Sequence, residues 1–115
     1  MTETPLERVE LRRSTRVPIR VCIQVRGSGI AFEGETIVVS AHGALLEVSE
    51  ALSLGAEITV AVQLTGKSAP ARVVFVSRER PSQFGIALDH PQNIWGVSLP
   101  PPDWHEYSEG SFHRD

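Results

Sequence analysis

At 115 residues the chain is sized for one domain with one modest hydrophobic core, and it is too short for two. Its 41% hydrophobic and 22% charged content is that of a globular protein; no run approaches the ~18 apolar residues of a membrane span, and the first residues lack the apolar segment of a signal peptide. A net charge of −3 argues against coating DNA or RNA with a basic face, and the single cysteine, Cys22, excludes an internal disulfide and fits a reducing, cytoplasmic setting.

The charge is unevenly spread. Ten of the eleven basic residues are arginine, and six of those lie within residues 8–26. "RRSTR" (Arg12–Arg16) puts three in five residues, whereas the chain after Pro102 carries Asp103, Glu106, Glu109 and Asp115 against Arg114. Arginine matters here because its planar fork binds phosphate or a base edge with two parallel bonds and also stacks. The local composition therefore points to one anion-binding site on an otherwise acidic chain.

Residues 1–11 read as a flexible lead-in. From Arg16 to Arg26 the apolar residues Val17, Ile19, Val21, Ile23 and Val25 alternate with Pro18, Arg20, Cys22, Gln24 and Arg26, which predicts one half-buried strand. Gly27–Gly29 supplies a turn, and a second strand is expected over about Gly34–Ser40. "SAHG" (Ser40–Gly43) breaks it, and "ALLEV" (Ala44–Val48) resumes as a third strand. Ile58, Val60, Val62 and Leu64 alternate as a fourth; "TGKSAP" reads as a turn, "ARVVFVSR" (Ala71–Arg78) as a fifth strand and "FGIAL" (Phe84–Leu88) as a sixth. "IWGVSL" reads as a last strand or an extended segment, ended by Pro100–Pro102. Beyond residue 104 no pattern remains, so residues 105–115 are expected to be a disordered tail.

Six or seven short strands with turns every eight to twelve residues describe an all-β fold, and in so small a chain an antiparallel barrel avoids exposed edges better than a sandwich. Pairing the first two strands around the glycine turn sets Arg16 roughly opposite Ser40. The arginine cluster and the "SAHG" turn should therefore share one end of a single domain spanning residues 12–104. That end gathers Arg12, Arg13, Arg16, Ser40, His42 and Gly43, the candidate ligand-binding residues; Gly43 is expected to allow close approach of the backbone to a ligand.

These residues resemble the PilZ family of bacterial receptors for cyclic di-GMP. Arg12 and Arg16 fit its Arg-x-x-x-Arg motif, and Ser40-Ala41-His42-Gly43 fits the end of its Asp/Asn-x-Ser-x-x-Gly motif. "VVFVSRERPSQFGIALDHP" is similar to the family's penultimate strand, loop and final strand, so the likeness covers roughly residues 10–99. The resemblance implies a PilZ-like split barrel and a non-enzymatic adaptor that binds cyclic di-GMP and signals in trans to a protein partner. Arg12 and Arg16 would contact guanine and phosphate, Arg13 would assist, and Ser40 would bond the ligand or brace the turn. One position departs: Val38 stands where the family has Asp or Asn. The alternative reading is a degenerate PilZ-like interaction module that has given up the nucleotide.

Other chemistry is poorly supported. Ser40 and His42 have no orienting acid, so hydrolysis is not expected. The four histidines lack metal-ligand spacing, and neither a metal nor a cofactor is expected. Cys22 falls on the outward parity of its strand and reads as a small surface residue. Trp95 and Trp104 flank the proline run and read as a strap that covers one end of the barrel.

Overall fold

The computed structural model describes residues 14–104, which form seven strands: β1 (Val17–Pro18), β2 (Cys22–Gly27), β3 (Ile30–Val39), β4 (Gly43–Val48), β5 (Glu57–Val62), β6 (Ser68–Val76) and β7 (Gln83–Leu88). All pairings are antiparallel, and they run β3-β2-β5-β6-β7-β4, with β4 returning to β3. Six strands thus close a barrel, and β1 is an extra strand on the far end of β3. Closure leaves no long unpaired edge in the ring, the hazard that favours a barrel at this size.

Alternation fills the inside. Ile23 and Val25 of β2, Leu46 of β4, Val60 and Val62 of β5, Val73 of β6 and Phe84 and Ile86 of β7 are all buried, each contributing about 1.5–3 kcal/mol of apolar burial. Their neighbours in sequence point outward, as Cys22, Gln24 and Arg26 do on β2. The all-β barrel expected from the alternation is the fold observed.

Several boundaries differ from the sequence reading. The expected strand over residues 16–26 is interrupted at residues 19–21. There the buried Thr36 hydroxyl donates to Ile19 C=O (2.7 Å) and accepts from Val21 N–H (3.0 Å). A side chain thus replaces part of the ladder, satisfying backbone groups that burial would otherwise leave costly. The turn is Ser28–Gly29, with Gly27 already paired to Ile30 and Gly29 at φ +74°, so β3 starts four residues earlier than expected. Ser68–Pro70, read as part of a turn, belongs to β6, and Leu64 lies outside β5, exposed. "IWGVSL" is not a strand: Ile94 and Trp95 are buried in an irregular strap that runs on to a helical turn at residues 102–104. The lead-in of residues 1–11 and the tail of residues 105–115 lie outside the described residues.

Two bulges decide which side chains face out. Against β4, β3 shifts register between Thr36 and Val38, and β6 shifts against β7 between Val73 and Phe75. Thr36 and Val39 both point into the barrel, three residues apart. Strict alternation from Thr36 would have turned Val38 and Ser40 inward; the extra residue, Ile37, turns them outward.

Candidate functional site

Pairing of Val17 with Val39 and of Pro18 with Val38 sets the end of β1 against the end of β3. Arg16 directly precedes Val17, and Ser40 directly follows its partner Val39, so both lie at this end of the ladder. Arg16 is exposed and Ser40 half-buried. Arg12 and Arg13 lie outside the described residues, so of the arginine cluster only Arg16 is located.

The turn after β3 is internally braced. Ser40 N–H donates to Gly43 C=O (2.8 Å), and the Ser40 hydroxyl accepts from His42 N–H (3.1 Å). Gly43 is buried, and a Cβ built on it would lie 2.0 Å from Ile86 O and 3.0 Å from Ile86 C. The close approach that demands glycine here is that of the β7 backbone, where the sequence reading had looked to a ligand.

Ser14 and Thr15, the residues between the motif arginines, are tied down. Ser14 is 2% exposed; its Oγ accepts from Ala41 N–H (3.1 Å) and lies 2.9 Å from His42 Nδ1. The Ser14 hydroxyl and His42 Nδ1 thus share a hydrogen bond whose direction is set by the His42 tautomer. Thr15 donates from both N–H (2.9 Å) and Oγ1 (2.8 Å) to Asp103 Oδ2 and accepts from Trp104 Nε1–H (2.7 Å). Trp95 Nε1–H donates to Ser40 C=O (2.9 Å). Both indoles are buried, so the strap covers this end of the barrel. Ser14 and Thr15, which lead into Arg16, are thus anchored from two sides. The anchors were missed because Thr15 and Asp103 are 88 residues apart, and the only local hint is a pair of small hydroxyl residues inside an arginine run.

The outer surface beside Arg16 and Ser40 is apolar. Following the register from strand to strand, Pro18, Val38, Leu45, Gly85 and Phe75 form one outward row. The Phe75 ring lies against Gly85 and is half exposed. Below this row, Arg20 pairs with Glu35 (2.6 Å) and reaches toward Glu47 (3.9 Å). Among the described residues no group of three or more His, Cys, Asp or Glu is arranged to hold a metal, and no helix is long and apolar enough to cross a membrane.

Comparison with known proteins agrees with this architecture. The PilZ domain family model matches residues 10–94. A search of curated proteins gives no match. Among solved structures, the PilZ domain of CeSA from a cellulose-synthesising bacterium is similar at 20% identity and a TM-score of 0.56, over 69% of this chain and 84% of that one. The Bacillus subtilis inhibitor of motility MotI/DgrA is similar at 13% identity and a TM-score of 0.56, over 90% of this chain and half of the inhibitor. At such identities the structural likeness speaks for the fold, and the family assignment rests on the model match over most of the chain. With a closed six-strand barrel and a family model matched over residues 10–94, the chain belongs to the PilZ family.

Proposed function

We propose that this PilZ domain is a non-enzymatic receptor for cyclic di-GMP that acts in the cytoplasm and signals in trans to a protein partner. The observation that supports this reading is the β1–β3 register, in which Arg16 precedes Val17 and Ser40 follows Val39, its partner. Cyclic di-GMP offers two phosphates and two guanines. Guanine O6 and N7 accept the paired bonds that an arginine fork donates, guanidinium planes stack on purines, and charge-assisted bonds to phosphate are strong. In this reading Arg12, Arg13 and Arg16 contact guanine and phosphate, and Ser40 bonds the ligand or holds the turn. His42 keeps its place in the turn through its bond with the Ser14 hydroxyl. Gly43 serves the site indirectly, by letting β7 close on the turn.

Val38 weakens the site on energetic grounds. Losing one charge-assisted acceptor costs about 1.5–3 kcal/mol, roughly ten- to a hundred-fold in affinity. Titration calorimetry with cyclic di-GMP tests the reading: binding by the natural chain that disappears in Arg16→Ala is expected, and no heat at high micromolar ligand overturns it.

The second reading is a module that binds only protein, and the apolar row Pro18–Val38–Leu45–Gly85–Phe75 favours it. Contiguous exposed apolar surface marks contact sites more often than scattered residues do. Binding of the nucleotide by Val38→Asp, and not by the natural chain, is the outcome that selects this reading.

A further inference from the structure

Thr15 sits between the motif arginines, yet all its hydrogen-bonding groups are committed to the far end of the chain. Its N–H and hydroxyl both go to Asp103 Oδ2, and its carbonyl takes Trp104 Nε1–H. Ser14, next to it, is keyed into the "SAHG" turn through Ala41 N–H and His42 Nδ1. Strap and turn therefore grip the arm from two sides, immediately before Arg16. Asp103 Oδ1 is also buried and has no hydrogen-bond partner among the described residues, so the strap holds a carboxylate with an unused acceptor against Thr15, which in sequence lies between Arg13 and Arg16. A buried carboxylate oxygen without a partner is costly enough to need a reason.

We infer that Asp103 and Trp104 of the C-terminal strap, with Ser14 and Thr15, are positioning residues of the arginine site. They fix the arm so that Arg16 faces Ser40 before an anion arrives. An unfixed arm would have to be ordered at the moment of binding, and that lost backbone freedom would be subtracted from the affinity. The strap thus supplies preorganisation to a site that lacks the acceptor at Val38. The inference rests on the receptor reading for its ligand, and its structural half is independent of it.

The experiment compares the full-length wild type, Asp103→Ala, Thr15→Val and Thr15→Ser by amide hydrogen exchange without ligand and by titration with cyclic di-GMP. Faster exchange at Thr15 and Ala41 is expected in Asp103→Ala, with melting still cooperative. Affinity should fall tenfold or more in Asp103→Ala and Thr15→Val, and stay within about threefold of wild type in Thr15→Ser, which keeps the hydroxyl. Unchanged exchange at Thr15 in Asp103→Ala overturns the inference. So does faster exchange with unchanged affinity, or a Thr15→Ser variant as weak as Thr15→Val. A wild type that gives no heat overturns the receptor reading and the ligand role of the strap together, and the exchange rates then decide alone whether the strap holds the arm.

Discussion

Replacing Gly43 by alanine tests whether the motif glycine is there for the ligand or for the barrel. The new Cβ would stand 2.0 Å from Ile86 O, 3.0 Å from Ile86 C and 3.2 Å from Ala87 Cα. Those are backbone atoms of a strand paired on both sides, so no side chain can swing away. Restoring ordinary contact requires β7 to retreat by about 1 Å or more, well beyond what a close-packed interior absorbs without cost. The retreat would stretch the bond from Leu88 N–H to His42 C=O (2.8 Å) and disturb the pairing of Gly43 with Ala87. Overpacking of this kind costs typically about 1–3 kcal/mol and occasionally more, and backbone on backbone belongs at the upper end. About 3 kcal/mol corresponds to a melting temperature lower by roughly 12–18 °C in a domain of this size. Gly29→Ala is the internal comparison: its Cβ meets nothing within 4 Å, and its cost comes only from φ +74°, about 1–2 kcal/mol. Thermal unfolding followed by circular dichroism should rank Gly43→Ala well below Gly29→Ala. A Gly43→Ala protein melting within 3 °C of wild type would refute the packing argument and return this glycine to the ligand.

Three further outcomes follow from the same geometry. Thr36→Val strips partners from Ile19 C=O and Val21 N–H where the first strand is interrupted, and should cost about 2–4 kcal/mol in urea unfolding, since each buried group left unpaired costs about 1–3; Thr36→Ser should recover most of it. Arg20→Ala should cost less than about 1 kcal/mol despite the 2.6 Å contact with Glu35, because both side chains are roughly half exposed and screened by solvent. Val38→Asp should shift the melting temperature by no more than about 5 °C, a change of about 1 kcal/mol, because the bulge at Ile37 turns this position outward; a collapse of stability would show that Val38 faces the core.

Much of this architecture is written locally. Alternation is a property of consecutive residues, so Ile23, Val25, Val60 and Val62 announce strands and their inner faces before any partner is known. A hairpin between the first two strands was also within reach, because the turn at Ser28–Gly29 joins adjacent antiparallel strands. The break at residues 19–21 nevertheless shifts the register by one between Cys22–Glu35 and Pro18–Val38. The order and spacing of Arg12, Arg16, Ser40 and Gly43, together with the barrel pattern and the "VVFVSRERPSQFGIALDHP" stretch, carried the family resemblance. What depends on contact between distant segments was not legible. The bulge at Ile37 is defined by β4 lying alongside β3, and it alone settles that Val38 and Ser40 face outward together. The break at residues 19–21 depends on a hydroxyl fifteen residues or more away, and the role of Gly43 depends on where β7 comes to rest. The arm follows the same rule. Sequence determined that an arginine run precedes the first strand, whereas only the tertiary structure decided that Ser14 and Thr15 are gripped by His42, Asp103 and Trp104. Hydrogen bonds between residues 28 and 89 positions apart leave no periodic trace in the chain, because their geometry exists only once the barrel has closed.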